Sequence, residues 1–186
     1  MKKNLVVVLT TLLLLLACNT QSKISKYFNC STINFKNLEE VKDFKNLFSV
    51  EIPETWKTNL YYDHFQSSIY TADTTKQLTQ TLLLDITLIN KSINFDSNFK
   101  LKQEQENLSK NLIKIKSAET TLIEKPSYYT ISKGKKGNYD YQIGHFFIKI
   151  NEQNFILAKA EIYGDSIVDQ RFCNALSLIQ KIKNYH

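Results

Sequence analysis

Residues 48–57 read FSVEIPETWK, and this stretch decides how the rest of the chain is divided. Its first, third and fifth residues are apolar and alternate with polar ones, which is the period of a half-buried strand. Pro53 has no N–H to donate and favours an extended residue before it, so the strand is expected to end there. Trp56, the single tryptophan, follows at once and is expected to pack under the sheet. Everything before this stretch has the composition of an export signal and a tether, and everything after it that of one folded domain.

The first 17 residues have the pattern of an export signal. Lys2 and Lys3 precede an uncharged run over residues 5–16, which is shorter than the roughly 20 apolar residues of a membrane-spanning helix. Residues 15–18 read LLAC and resemble the lipobox of bacterial lipoproteins, in which the cysteine is acylated and becomes the mature N-terminus. We therefore expect residues 1–17 to be a lipoprotein signal peptide and Cys18 to carry the lipid. The alternative is an ordinary signal peptide with a chance cysteine.

Three further segments follow from composition. Residues 18–26 are polar and are expected to form a lipidated flexible tether. Residues 27–46 are expected to form an N-terminal arm, in which the helical spacing of Leu38, Val41 and Phe44 indicates a short helix or an ordered segment. Residues 47–186 are expected to form one domain, because this length suffices for a single core.

Strand patterns recur along that domain, separated by turn residues. Residues 82–88 alternate most clearly. Pro126 is expected to break one strand into two, and residues 134–138 to form a turn because they contain two glycines. Gly144 marks either a bulge or a strand that is covered on both faces. The other expected strands are residues 55–61, 65–72, 120–124, 127–132, 139–150 and 155–163.

Two helices are predicted by periodicity of about 3.6 residues. The first covers residues 97–115, and its apolar stripe is expected to lie on the sheet; the stripe is Leu101, Leu108, Leu112 and Ile115. The second begins after Ser166, which is expected to cap it, and has Asp169 in its first turn. Its expected buried stripe is Val168, Phe172, Ala175, Leu176, Ile179 and Ile182.

This order of elements predicts an α+β domain with an antiparallel sheet. The stretch over residues 48–56, the middle helix, the meander and the closing helix together resemble the PsbP-like proteins. The resemblance spans about residues 45–185 and implies an antiparallel β-sheet sandwiched between helices, an α/β/α sandwich. That family includes the extrinsic photosystem II subunit, a nuclear import factor that binds Ran, and small bacterial lipoproteins. The resemblance implies binding or assembly roles and carries no shared catalytic residues.

The sequence contains few groups that could do chemistry. Only Arg171 among the 24 basic residues is arginine, which argues against a nucleic-acid site. His64 beside Asp63 and His145 near Asp140 could form a metal site if their hairpins met, but nothing in the sequence brings them together. Asp85 is a lone carboxylate on a strand, either hydrogen-bonded under a helix or lining a cleft. We therefore expect no metal, no cofactor and no enzymatic activity.

Two functions remain open from the sequence. The first is an envelope lipoprotein that is anchored to the lipid bilayer through acylated Cys18. It would act as a non-catalytic module that binds another envelope protein or supports assembly. The second is a lipoprotein that captures a glycan fragment or lipid in an aromatic-lined cleft. The candidate ligand-facing residues are Tyr61, Tyr62, Phe65, Tyr139 and Tyr141, although tyrosine is also common in half-buried strands.

Cys30 and Cys173 are the two thiols left once Cys18 is acylated. In an exported protein they could form a disulfide between the arm and the final helix. The competing interpretation is two small buried residues that never meet. Cα atoms within about 7 Å are required for the bridge.

Overall fold

The computed structural model describes residues 23–31 and 33–185, which form one small and one large antiparallel sheet with three helices. Cys18 and most of the predicted tether lie outside these residues, as does the predicted signal peptide. The elements are α1 (Lys23–Tyr27), β1 (Leu38–Lys42), β2 (Phe48–Pro53), β3 (Lys57–Tyr62), β4 (Gln66–Ala72), β5 (Leu83–Ile89), α2 (Ser97–Ser109), β6 (Ile113–Leu122), β7 (Lys125–Lys136), β8 (Tyr139–Lys149), β9 (Phe155–Tyr163), α3 (Val168–Ile179) and β10 (Lys183–Asn184).

The large sheet has seven strands in the order β3-β4-β5-β9-β8-β7-β6, and every neighbouring pair is antiparallel. Strands that follow one another in sequence are neighbours in this sheet except β5 and β6, which α2 connects and which β9, β8 and β7 separate. The strong alternation predicted for residues 82–88 corresponds to β5, and that for residues 155–163 corresponds to β9. Strands β3 and β6 form the two edges.

The small sheet is built around β2, which belongs to the stretch over residues 48–57 at the start of the predicted domain. β2 pairs with β1 on one side and with β10 on the other. Phe48, Val50 and Ile52 are fully buried, so the predicted apolar face is confirmed. The strand is not half-buried, because Ser49 on the other face is also 0% exposed. Trp56 is partly buried and packs against the same core, as predicted.

The main core lies between the small sheet, α3 and one face of the large sheet, which we call the inner face. Phe146 of β8, Ile156 of β9 and Phe172 of α3 are all fully buried there. Gly144 leaves room for the Phe146 and Phe172 rings, because a Cβ at this position would come within 3.0 Å of both. The register is continuous through Gly144, so the strand is covered on both faces and has no bulge.

The opposite face of the large sheet, which we call the outer face, is partly covered by α2. The Phe99 ring packs edge-on against Phe147 at 5.0 Å and against Tyr128 at 5.6 Å between centroids. Ion pairs join α2 to β6 at the rim, with Lys100 bound to Glu119 and Lys114 bound to Glu104. The antiparallel sheet therefore lies between helices, and the predicted α+β fold class is confirmed, with the small sheet as an addition to the α3 layer.

The orientation predicted for the middle helix is wrong. α2 ends at Ser109, so Leu112 lies beyond it and Ile115 belongs to β6. Leu101 and Leu108 are 54% and 63% exposed, because Phe99 and the buried Asn107 face the sheet instead. Asp96 caps this helix, and its carboxylate accepts a hydrogen bond from the amide of Phe99 at 2.8 Å.

The N-terminal region is more ordered than its sequence suggests. Leu38 and Val41 belong to β1, which pairs with β2, rather than to a helix. The prediction of a flexible tether through Lys26 is wrong from Lys23 onward, because residues 23–27 form α1 and its Ile24 is only 1% exposed. The arm is therefore part of the core.

Three local predictions are corrected in the second half. Pro126 does not break a strand, since it lies within β7 and pairs with Thr121 of β6. Gly134 also lies within β7, so the turn is confined to residues 137–138, where Gly137 has a φ of 61°. α3 has no side-chain cap: its first residue is preceded by Ile167, and Ser166 lies one residue too early.

Within the described residues, none of the helices combines the length and the apolar character needed to span a bilayer.

Candidate functional site

One corner of the large sheet exposes a cluster of aromatic side chains, which we call the aromatic edge. It consists of Phe44, Tyr61, Tyr62 and Phe65, which are 55%, 58%, 56% and 72% exposed. The rings of Phe44 and Tyr62 stack face to face, with centroids 3.9 Å apart and planes 4° apart. Each ring covers only one face of the other, so a large apolar area stays in contact with solvent.

Two hairpin turns hold the aromatic edge in place. The buried Asp43 carboxylate accepts hydrogen bonds from the amides of Leu47 at 2.6 Å and Phe48 at 2.9 Å, which fixes the loop that carries Phe44. In the other turn, the Asp63 carboxylate accepts from the amide of Phe65 at 2.7 Å. That hydrogen bond lowers the pKa of Asp63. Lys45 joins the two turns, because its Nζ donates to the carbonyl of Asp63.

The strand that carries Tyr61 and Tyr62 has one unpaired side. Among the described residues β3 pairs with β4 alone. The N–H and C=O groups on the outer side of an edge strand can bind a further strand. Tyr62 is in register with Ser67 and thus with Leu88 of the core, so it lies on the inner face, and Tyr61 lies on the outer face. The aromatic side chains therefore surround the free edge.

The second candidate region is a cleft on the outer face beside α2, and we call it the lysine cleft. It consists of two adjoining cavities of about 340 and 430 Å³, which share Lys110, His145 and Lys159. The apolar part of the first cavity is Ile93, Phe99, Phe147, Phe155 and Leu157, and that of the second is Leu112, Tyr141 and Ile143. Six lysines line the two cavities: Lys91, Lys102, Lys110, Lys135, Lys136 and Lys159.

His145 lies at the junction of the two cavities. It is 9% exposed, and its Nδ1 has no hydrogen-bond partner among the described residues. Burial, and then the positive charges of Lys110 and Lys159, lower the pKa of His145 to about 4. The imidazole is therefore neutral at neutral pH.

A partly buried network around Glu161 closes one end of the cleft, with the Lys136 side chain exposed. The Glu161 carboxylate accepts hydrogen bonds from Lys136 at 2.9 Å, from the Tyr141 hydroxyl at 2.9 Å and from the Tyr163 hydroxyl at 3.2 Å. Burial raises the pKa of Glu161, but the bonds from Lys136 and Tyr141 outweigh it and leave that pKa lowered. Burial and the neighbouring Glu161 raise the pKa of Tyr141. The Glu161 carboxyl is therefore ionised and the Tyr141 hydroxyl is protonated at neutral pH.

We expect the free energy of unfolding to rise with pH between about 4 and 6.5 because of His145. In this window the unfolded chain protonates the imidazole and the folded protein does not, so the unfolded state binds more protons. The contribution of His145 to the free energy of unfolding is complete above about pH 6.5, the pKa of histidine in the unfolded chain. It is lost as the pH falls to about 4, and it amounts to about 3 kcal/mol. Urea denaturation at several pH values should show a flatter profile for His145→Gln than for the wild type.

The matched control for this measurement is His64→Gln, because His64 lies in an exposed turn. Its pH profile should follow that of the wild type. An unchanged slope in His145→Gln would contradict the assignment of the effect to the buried imidazole.

The structure divides the five predicted ligand-facing aromatic residues into two groups. Tyr61, Tyr62 and Phe65 lie at the aromatic edge, on the outermost strand and its turn. Tyr139 and the buried Tyr141 lie at the start of β8, where Tyr141 is in register with Tyr163 at the end of β9. Of the five, Tyr141 lines the second of the two cavities described above. No single cleft brings the five together.

The predicted polar candidates are also separate. His64 is in the β3–β4 turn and His145 is beneath α2. Asp85 binds Lys159 Nζ at 2.9 Å and accepts a hydrogen bond from the Thr87 hydroxyl at 2.9 Å, so its carboxylate is paired. In the part of the chain that the structure describes, no three metal-ligating side chains come together.

Sequence reasoning missed Phe44 and the lysines of the cleft. Phe44 lies in the turn between β1 and β2, and turns usually run over the protein surface. The lysines come from five separate stretches of sequence, and only the order of the strands brings them together.

No protein-family model matches the chain, and no curated protein matches it in sequence. Solved structures do match. A protein of Bacteroides thetaiotaomicron is 9% identical with a TM-score of 0.56 over 81% of this chain, which spans only 49% of that one. The Ran-binding protein Mog1p of Saccharomyces cerevisiae is 9% identical with a TM-score of 0.54, over 80% of this chain and 95% of Mog1p.

The cyanobacterial PsbP protein of Synechocystis is also 9% identical, with a TM-score of 0.56 over 84% of this chain and 97% of its own. At these identities the likeness concerns the fold alone. It agrees with the order of strands and helices described above. The chain therefore has the PsbP/Mog1-like α+β fold.

Proposed function

We propose that this protein is a non-catalytic module of the bacterial cell envelope that binds another envelope protein at the aromatic edge. The observation that carries the proposal is the set of four aromatic side chains, each more than half exposed, around a strand with an unpaired side. Buried aromatic residues supply much of the binding energy at protein interfaces. A free edge can bind an extended segment of a partner as an additional strand.

Rigid presentation of the rings favours binding. Asp43 and Asp63 fix the two turns that carry Phe44 and Phe65, and the Lys45 contact joins them. Binding then orders little of this chain, which lowers the entropic cost of association. We expect the partner to supply an extended apolar segment, because the four exposed side chains are aromatic.

The proposed compartment rests on two features. The Cys30–Cys173 disulfide, with Cα atoms 5.4 Å apart, is typical of an oxidising compartment outside the cytosol. The LLAC sequence at residues 15–18 supports acylation of Cys18, which would attach the protein to the bilayer. The molecule is thus proposed to be an exported lipoprotein of the envelope.

The fold is compatible with this class of function. The yeast protein Mog1p, which shares the fold, is described as Ran-binding, so this architecture can serve a protein-binding role. The proposal of a non-catalytic role is supported by the separation of His64 from His145 and by the pairing of Asp85. Ligand capture among the five aromatic residues has less support, because they lie in two groups.

Site-specific crosslinking in cells tests this proposal. A photoreactive phenylalanine analogue at Tyr61 should crosslink to a defined protein, whereas the same analogue at Leu101 on α2, which is 54% exposed, should not. Adding Phe65→Glu should weaken the crosslink from position 61 by about fivefold or more, since a central aromatic contributes about 1–2 kcal/mol or more to an interface.

Leu108→Glu is the matched control, because Leu108 is similarly exposed but lies on α2. It should leave the crosslink from position 61 unchanged. Equal crosslinks from positions 61 and 101, or no effect of Phe65→Glu, would contradict binding at the aromatic edge. In the same cells Cys18→Ser should move the protein from the membrane to the soluble fraction. If the variant stayed at the membrane, the lipid attachment would be contradicted, but binding at the aromatic edge would not.

A further inference from the structure

The lysine cleft has an apolar floor that α2 does not fully cover. Phe147 of β8 and Phe155 of β9 are 4% and 8% exposed, and Leu157 is partly buried beside them. Together with Ile93 and Phe99 they line a cavity of about 340 Å³. This volume lies within the range of small-ligand sites, which are about 300–1,000 Å³. The apolar floor of this cavity is suited to a hydrocarbon chain, and the polar residues of its rim to a charged head.

The rim of the cleft is positively charged. Its six lysines face only two acidic lining residues, Glu106 and Glu161. Lys136 is bound to Glu161, and Lys159 to Asp85. Lys110 and Lys135 have no ion-pair partner among the residues that the structure describes, and both line the second cavity. The uncompensated charge attracts an anion to that end of the cleft.

An unpartnered polar atom lies where the apolar and charged parts meet. The His145 ring, 9% exposed, lines both cavities, and its Nδ1 has no hydrogen-bond partner among the described residues. Buried polar groups without partners are rare in folded proteins. A bound polar head group can supply the missing hydrogen bond.

We propose that the lysine cleft binds a single-chain anionic amphiphile. The acyl chain occupies the cavity between Phe99 and Leu157, and the carboxylate or phosphate head lies near Lys110 and Lys135, beside His145. This site is on the outer face and does not depend on the aromatic edge, which lies on the β3 corner.

The charge pattern favours an amphiphile over two other ligands. A nucleic acid would need an extended basic surface, usually with arginine forks, and the only arginine, Arg171, is buried on α3. A simple inorganic anion would leave the apolar cavity unused. The combination of both parts within one cleft is what selects a chain with a charged head.

Calorimetric titration with dodecanoate, below its micelle concentration, tests the proposal. The full exported chain carrying Cys18→Ser is used, so that no acyl group of the protein competes for the cleft. The protein should bind dodecanoate at one site, and acetate should not bind, because it lacks the chain. The Lys110→Glu/Lys135→Glu double variant should weaken dodecanoate binding about tenfold or more, since two attractive charges near the head group become repulsive ones.

Lys133→Glu is the matched control. Lys133 is exposed on β7 as Lys135 is, but it is two residues away and outside the cleft lining, and its reversal should change the affinity less than twofold. A second variant, Leu157→Gln, should weaken dodecanoate binding through the chain and leave circular dichroism unchanged. Dodecyl phosphate in place of dodecanoate distinguishes the two possible head groups, since tighter binding of one identifies it.

The proposal is overturned by any of three results. The wild type could fail to bind both dodecanoate and dodecyl phosphate. The double reversal and Lys133→Glu could weaken binding equally, which would indicate a general charge effect. Acetate could bind as tightly as dodecanoate, which would indicate an anion site without a chain.

Discussion

We expect the Cys30→Ala/Cys173→Ala double variant to lose about 3–5 kcal/mol in the free energy of unfolding. The bridge joins residues 143 positions apart, so it restricts a very long loop in the unfolded chain. In the folded protein it connects the segment after α1 to α3, where Phe28 stacks on Phe172 with centroids 5.2 Å apart. Urea denaturation of the oxidised proteins measures the difference.

Two comparisons separate the disulfide from its side chains. Reduction of the wild type should reproduce the loss seen in the double variant, because both remove the same covalent link. Cys18→Ser should unfold as the wild type does, since it changes a cysteine but retains the bridge. A loss below about 1 kcal/mol in the double variant would show that the packing of α1 holds the arm without the covalent bond.

The sequence could raise the pairing of Cys30 with Cys173 but could not decide it. Counting thiols in an exported chain leaves these two, yet the arm had no visible reason to reach the last helix. The reason is the position of β2. β1 and β10 pair on either side of it, which brings the N-terminal segment and the end of α3 to the same face of the large sheet. The structure confirms the bridge.

Elements with a strong local pattern were predicted well. β2, β5, β9 and α3 each bury one or both faces against the core, so their apolar residues recur at the period of the backbone. The fold class follows from the order of such elements. The signal for Leu38 and Val41 was misleading because pairing with β2 overrides the local spacing, as is common for edge strands.

α2 shows where local pattern fails. Its two leucines suggested a buried stripe, but one aromatic residue, Phe99, decides the orientation through contacts with Tyr128 and Phe147. Those partners lie on β7 and β8, and nothing near α2 in the sequence reveals them. The candidate sites divide in the same way. Three members of the aromatic edge are neighbours in sequence and were anticipated, whereas the lysine cleft arises only from the insertion of β9 between β5 and β8.

The largest single-residue effect is expected at Arg171, which is 2% exposed on α3. Its guanidinium donates hydrogen bonds to four backbone carbonyls and so joins the start of β5 to the loop between β9 and α3. The acceptors are Thr81 at 3.1 Å, Tyr163 at 2.9 Å, Gly164 at 3.3 Å and Ser166 at 2.6 Å. Planar donors in a fixed fork allow one side chain to satisfy all four.

These bonds also hold an unfavourable backbone. Ile167 has a φ of 44°, a left-handed conformation that β-branched residues rarely adopt, and it follows directly on Ser166. Because Ile167 immediately precedes α3, the conformation of this loop sets where the helix begins. The Arg171 contacts therefore compensate for local strain as well as for the absence of a side-chain cap.

We expect Arg171→Met to lower the free energy of unfolding by about 3–5 kcal/mol, because it removes the donor from one buried and three partly buried carbonyls while keeping a similar volume. Arg171→Lys should cause a smaller loss, since an ammonium retains the charge but not the fork. Gln170→Met, at the exposed neighbouring position of the same helix, should change the stability by less than about 0.5 kcal/mol. Urea denaturation of the three variants decides between them. Equal stabilities of Arg171→Lys and the wild type would show that charge alone suffices, and a loss below about 1 kcal/mol in Arg171→Met would show that water satisfies the four carbonyls.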